Sequence, residues 1–248
     1  MAPVVSKIVA ACTVASVSGV HVKSQTNAVG AHDYIVNNLK FSTTLRVCNA
    51  YPFAKSTQVF DQSLDYKTCG EIQTNLQQGQ QIDFFAEEKK VLLGSFEVQD
   101  TPREDSTLLL VLQPLDAEST GVRFQSHAFA NSAEAQVALL DAFVGSKAKK
   151  SDLIDIRDSY GVQPRDEKLR LNSVVGLNTG YYQVQSTTSG SNKHDGAKKS
   201  LHALEGEKIS IIRVGVAGNK DLPEDLIVFP DSNQSIFSGL VNWVSGWI

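Results

Sequence analysis

Five histidines, three cysteines and a few adjacent carboxylates are the residues of this chain best equipped for chemistry. His21, His32, His127, His194 and His202 lack the i, i+4 spacing that sets two imidazoles on one helix face. They form no short-range Cys/His cluster either, so no metal is expected. His127 and His202 fall in β-patterned stretches and read as surface or hydrogen-bonded strand residues, while His194 lies in a polar loop. Glu87-Glu88 and Glu104-Asp105 sit in turn-like sequence. A carboxylate pair needs burial to raise one pKa before it can act as acid and base, so these read as solvated turn charge. No GxSxG elbow, HExxH, P-loop or dinucleotide fingerprint occurs. A Ser-His-Asp triad can assemble from distant residues, which keeps a dispersed hydrolase or acyltransferase site as an alternative. The leading expectation is a non-catalytic protein without cofactor or metal.

The cysteines are informative alongside the N-terminus. Lys7 precedes a stretch of apolar and small residues, Ile8 to Val20, and the first acidic residue is Asp33. Residues 1–22 therefore read as a signal peptide; the alternative is an amphipathic helix of the mature chain. Val9-Ala10-Ala11-Cys12 resembles a lipoprotein cleavage box, but the apolar run before it is too short for one. Once that segment is removed, Cys48 and Cys69 remain as an even pair bound for an oxidising space. A bridge between them would close a loop worth about 3 kcal/mol, the alternative being two unrelated buried thiols. Neither lies in a CxxC, which argues against a redox or zinc motif. The expected location is secreted, periplasmic or otherwise lumenal. Asn233-Gln234-Ser235 is a glycosylation sequon, relevant only in a eukaryotic host.

Charge and hydropathy limit the partners. The 248 residues carry 23 basic and 27 acidic side chains, a net charge of −4, and 42% hydrophobic residues. That composition folds, and it lacks the basic field that nucleic acid requires. Lys147-Ala148-Lys149-Lys150 and Lys198-Lys199 are too short to supply one. No apolar run is long enough to cross a bilayer as a helix.

The elements that must position these residues are strands. Alternation of period two marks Thr44–Cys48, Gln80–Phe85, Val91–Val98, Leu108–Leu112, Gly121–Phe124, Tyr181–Gln185, Ile209–Val214 and Leu226–Phe229. Turn clusters at 101–106 and 189–196 separate them. The predicted fold is all-β: two tandem Ig-like antiparallel β-sandwiches behind the signal segment, with a short C-terminal amphipathic helix. Ser132–Val144 has helical spacing at Ala133, Val137, Leu140 and Val144, and 145–168 reads as a charged, linker-like insertion. In the tail, 232–248, the residues Ile236, Phe237, Leu240, Val241, Val244, Trp247 and Ile248 share one helical face. That stripe can pack on the second sandwich, dock into a protein partner or lie on a membrane surface. Tyr51, Tyr181 and Tyr182 are candidates for stacking on a sugar ring of a polysaccharide.

The halves also echo one another. Leu45-Arg46-Val47 and Phe53-Ala54-Lys55-Ser56 match Val122-Arg123-Phe124 and Phe129-Ala130-Asn131-Ser132. Leu76 to Phe84 matches Leu177 to Gln185, with Gly79 and Gly180 expected at φ > 0. Two hairpin-like pairs follow, Gly94–Val98 with Leu108–Val111 and Lys199–Leu204 with Ile209–Val214. Repeats of this kind reset the domain count, giving sandwiches over 40–116 and 117–231, each expected to have its own core. Arg46 and Arg123 are expected to stay solvated, with ligand contact as the alternative.

This order of blocks, behind an export signal, resembles the periplasmic AlgF-like alginate O-acetylation accessory proteins, and also tandem extracellular sandwich modules. Val122-Arg123-Phe124, Leu177–Val184, Leu204–Ser210 and Asp225–Pro230 carry the resemblance. It implies a non-catalytic accessory protein that binds protein partners in a polysaccharide-modifying assembly, and it transfers no active-site residue. The Cys48/Cys69 pair, the 145–168 insertion and the apolar tail depart from the pattern.

Overall fold

The computed structural model describes residues 43–86, 90–99, 105–145, 153–158, 166–186 and 196–231. The expected signal segment 1–22, the sequon at Asn233 and the apolar tail 232–248 lie outside the described residues.

The described chain is all-β. The first half contributes β1 (Thr43–Asn49), β2 (Ser56–Val59), β3 (Gln62–Asp65), β4 (Cys69–Thr74), β5 (Gln81–Ala86), β6 (Val91–Glu97), β7 (Ser106–Pro114) and β8 (Val122–Phe129). The second contributes β9 (Ala135–Asp141), β10 (Leu153–Asp158), β11 (Asp166–Arg170), β12 (Ser173–Leu177), β13 (Gly180–Ser186), β14 (Lys198–Ala203), β15 (Lys208–Val214) and β16 (Asp225–Phe229). They form four sheets of four: β3-β2-β5-β6 and β4-β1-β7-β8, then β12-β9-β15-β16 and β11-β10-β13-β14. Adding eight to every strand number of the first pair of sheets generates the second pair. In both halves the first strand runs parallel to the seventh, β1 with β7 and β9 with β15, and every other pairing within the sheets is antiparallel. The duplication is a property of the topology.

Sequence blocks matched only part of it. β5 does correspond to β13, and β6–β7 to β14–β15. The β5/β13 match slips by one residue, since Ile82 and Phe84 face inward on β5 whereas Val184, not Gln183, does so on β13. Leu45-Arg46-Val47 lies in β1, whose counterpart is β9; Val122-Arg123-Phe124 lies in β8. The two hairpin-like pairs are crossings between sheets, because β6 and β7, like β14 and β15, belong to different ones. Gly79 adopts φ +81°, but Gly180 is paired with Ala203 inside the ladder and is not in the left-handed region.

Three boundaries also move. β8 pairs with β7, so the first sandwich runs past residue 117 to Phe129. Ser132–Val144 contains no helix; Ala135–Asp141 is strand β9, between β12 and β15. Val137, Ala138 and Leu139 are fully buried. A strand covered on both faces loses its alternation, and its apolar run then fits helical spacing equally well. The expected linker supplies β10 and β11, with Ile154 and Ile156 pointing inward and the exposed Arg157 on the opposite face.

That double coverage comes from how the sandwiches meet. One core lies between the first two sheets, around Leu45, Val47, Phe84 and Leu110. Another lies between the last two, around Val137, Ile154, Val184 and Ile211. A third joins Cys48, Leu109, Val111 and Phe129 to Ala138, Leu140, Ile212, Val214 and Ile227. The inner sheets β4-β1-β7-β8 and β12-β9-β15-β16 are therefore packed face to face, making four layers. The expectation of two separate cores misses this seam. Across it β1 meets β15 and β7 meets β9, while the turn before β4 reaches β16 and the turn before β12 reaches β8. Each unit thus offers the other the same face with strand roles exchanged, as in an isologous dimer.

Candidate functional site

The seam and the cleft at its edge collect most of the unusual polar chemistry. Cys48 on β1 and Cys69 on β4 are register partners with Cα atoms 4.1 Å apart, and they form a disulfide. Cys48 is fully buried and belongs to the seam core, so the bridge fastens the edge strand β4 to the layer that carries the seam.

Two positions further back along β1, Arg46 crosses to the other sandwich. Its Nη1 donates to Ser210 Oγ at 3.1 Å and to the Lys208 carbonyl on β15. Its Nε and Nη2 donate to Glu71 Oε1 at 3.0 and 2.8 Å, and its guanidinium lies 4.8 Å from the Phe229 ring centre. Arg46 is 3% exposed, so the expectation that it stays solvated is wrong. Alternation did predict that it leaves the face of Leu45 and Val47; what covers the opposite face is the second sandwich. Burial lowers its pKa, and the hydrogen bond and charge of Glu71 oppose that shift. Arg123 is half-buried. Arg213 is buried likewise, with Nε 2.8 Å from Glu224 Oε1 and its guanidinium 4.4 Å from the Phe143 ring centre.

At one edge of the seam the layers part into a cleft of about 340 Å³, lined by Lys67, Lys198, Lys199, Ser200, Leu226 and both Asp225 and Asp231. Its first wall is set by Asn49. This buried side chain donates from Nδ2 to Thr57 Oγ1 at 3.0 Å and to the Leu64 carbonyl at 2.9 Å. Its backbone carbonyl accepts from the Lys67 N–H at 2.9 Å, holding Lys67 in the left-handed region at φ +70°. Lys67 Nζ then reaches Asp225 Oδ2 at 2.8 Å, at the start of β16. From β14, Lys199 stands opposite the buried Val184, pointing inward at the strand end, with Nζ 3.8 Å from Asp225 Oδ1. Burial pushes the Asp225 carboxyl up, but the Lys67 hydrogen bond, the Leu226 N–H and both lysine charges prevail and hold it below its usual value. Beside it the Tyr66 hydroxyl is buried without a hydrogen-bond partner, its pKa pushed up to about 12 by burial and by the Asp225 charge.

The tyrosines singled out from sequence divide three ways. Tyr51 is 1% exposed and donates to the Thr120 carbonyl at 2.8 Å, so it is a core residue and presents no ring to a sugar. Tyr182 is half-buried against the second core, with its hydroxyl on the Asn178 carbonyl at 2.9 Å. Tyr181 is 44% exposed, and its ring stacks on His202 across β13 and β14 at 3.9 Å and 1°. His127 lies half-buried edge-on to Phe129, and burial lowers its pKa. Among the described residues no group of three His, Cys, Asp or Glu side chains could hold a metal ion, and no helix is long and apolar enough to cross a membrane.

Sequence reasoning gives no site role to Lys67, Asp225 or Asn49. Lys67 and Asp225 are 158 residues apart, and no local spacing signals a contact made through an inter-sandwich seam. Lys198-Lys199 was visible only as a short basic pair. No protein-family model matches this chain, and no curated protein matches its sequence.

Proposed function

We propose that this chain is an exported, non-catalytic accessory or scaffold protein of an envelope or extracellular assembly, acting in polysaccharide modification as its AlgF-like blocks imply. The Cys48–Cys69 bridge is the observation that carries the reading. A disulfide whose Cys48 is buried in the central seam suits a chain that matures in an oxidising, extracytoplasmic space. Support also comes from the shared core, which joins the two pairs of four-stranded sheets into one body with an outer sheet on each side. Such a body suits holding partners at fixed separation. The tail 232–248 supplies a protein-docking or membrane-surface contact in this reading.

The test is fractionation followed by native co-purification of the full chain. A processed N-terminus, an oxidised Cys48–Cys69 pair and one stoichiometric protein partner that a tail deletion releases are expected. A reduced chain recovered alone from the cytosol would overturn the reading.

A carbohydrate-binding module is the second reading, favoured by Tyr181. Its exposed ring is braced by His202, and Gln183 and Ser200 are paired beside it on the same sheet. Screening the chain and its Tyr181→Ala variant on a glycan array decides the matter: signal lost in the variant supports it, and no signal from either removes it.

A further inference from the structure

Exposed apolar side chains are not spread evenly over the molecule. Among the described residues eight large ones are exposed, and Phe53, Val91, Leu92 and Leu115, each between 37 and 51% accessible, lie at one end of the first sandwich. Three connections bring them there. β1 ends at Asn49, which pairs with Leu112 near the end of β7, and Thr57 at the start of β2 pairs with Ala86, the partner of Val91 on β6. In the β1–β2 connection the Tyr51 ring lies 5.5 Å from that of Phe53, and its hydroxyl donates to the Thr120 carbonyl in the β7–β8 connection at 2.8 Å. Leu115 opens that second connection and donates its N–H to the Gly121 carbonyl at 2.9 Å. The duplication supplies a control. The β15–β16 connection, counterpart of β7–β8, exposes Asn219, Lys220 and Asp221, and none of its residues is an exposed large apolar one. The fold does not require apolar side chains at this end, and a cluster of them marks a contact.

The chain also carries an apolar segment that begins nearby. The helical stripe from Ile236 to Ile248 has no charged side chain in it, and none follows Asp231. Asp231 lines the same cleft as Lys67. Next to Lys67, the Tyr66 N–H donates to the Lys55 carbonyl at 3.4 Å, two residues from Phe53. From Asp231, residues 232–235 can bridge about 13 Å when extended, and 236–248 wound as a helix would cover about 20 Å. The outer sheet of the first sandwich is about 14 Å across from β3 to β6, so the stripe can cross to Val91 and Leu92. Tethering over so few residues holds the stripe at the tip at about millimolar effective concentration. A contact too weak to recruit a free partner is still made under those conditions. Among the described residues the exposed Lys55 and Lys90 of the tip are balanced by Asp116 and Glu118, which leaves no basic field to draw an anionic lipid surface.

We propose that the tail 232–248 folds back on this tip, laying its apolar stripe over Phe53, Val91, Leu92 and Leu115 of the first sandwich. The tip is an intramolecular docking surface, and a partner that takes the tail must first displace it. This inference does not rest on the accessory-protein reading.

The chain's two tryptophans, Trp243 and Trp247, both lie in the tail, so tryptophan fluorescence of the full chain reports on that segment alone. The emission should be blue-shifted, and iodide should quench it several-fold less than in the urea-unfolded chain, at every protein concentration. In Leu92→Asp/Leu115→Asp, which alters side chains about half exposed, the emission should move to the red and quenching should rise toward the unfolded level. Circular dichroism checks that this variant is folded, and Leu92→Ser/Leu115→Ser gives the same comparison if it is not. Leu204→Asp, on the β14–β15 connection at the opposite end of the molecule, should change neither reading. Protection that survives in the folded tip variant would show that the tail packs elsewhere. Protection lost on dilution would assign the stripe to a second copy. Protection gained only with vesicles of phosphatidylcholine and phosphatidylglycerol would assign it to a membrane. Each of these three results would overturn the proposal.

Discussion

Arg46 Nη1 on β1 donates to Ser210 Oγ on β15 at 3.1 Å, joining side chains 164 residues apart through a seam from which water is excluded. Arg46 is 3% exposed, and its guanidinium is anchored by Glu71 at the edge of the same sheet.

A buried charge that loses its partner costs more than the pair contributed. Glu71→Ala should therefore destabilise the chain by about 3 kcal/mol, at the low end for a buried pair because the Glu71 side chain is 40% exposed. Arg46→Met, which removes the charge and keeps the volume, should cost less than Glu71→Ala. Urea unfolding of both variants checks the order, and a smaller loss for Glu71→Ala would contradict it.

The disulfide closes a loop between residues 21 apart in sequence. Cys48→Ser/Cys69→Ser should lower stability by about 3 kcal/mol through the freed loop. It should do so with little change in the denaturant slope beyond that expected from a less restricted unfolded chain. Denaturation of oxidised, reduced and double-serine forms gives the comparison; equal stability in all three would show that the bridge is incidental.

Ile212 and Ile211 are neighbours on β15, both fully buried, one in the seam and one in the second sandwich's core. If the seam is core rather than a loose contact between domains, Ile212→Ala and Ile211→Ala should each cost about 3 kcal/mol, and unfolding should remain one transition. A second transition, or a loss below about 1 kcal/mol for Ile212→Ala alone, would mean that the units unfold separately.

His127 gives the chain a pH response. Burial lowers its pKa below the ordinary 6.5, so the unfolded chain takes up a proton first as pH falls. The stability contributed by keeping the ring neutral is present in full above 6.5 and is lost as pH falls from there through the lower folded value. Urea midpoints between pH 8 and pH 5 should show a decline that His127→Gln makes shallower. A parallel decline in the variant would assign the effect to other groups.

The strands legible in the sequence were those whose alternation survives in the fold. Gln80–Phe85 and Tyr181–Gln185 each have one face on a core and one toward solvent, and period two follows directly. β9 escapes this pattern because both its faces are buried, and β10 and β11 because charge on their outer face resembles a linker. The β1/β8 match in the repeat failed since short apolar triplets recur in any set of sandwich strands, whereas strand order does not depend on side-chain identity.

Strand patterning, an internal duplication and a cysteine pair suited to bridging can be read directly from local periodicity, order or count. Long-range packing is what makes the two sandwiches share a third core, buries Arg46 and brings Lys67, Lys199 and Asp225 together. Those contacts depend on which outer face of one sheet is covered by the other unit. A strand's pattern records that a face is apolar, but it does not record what lies against it.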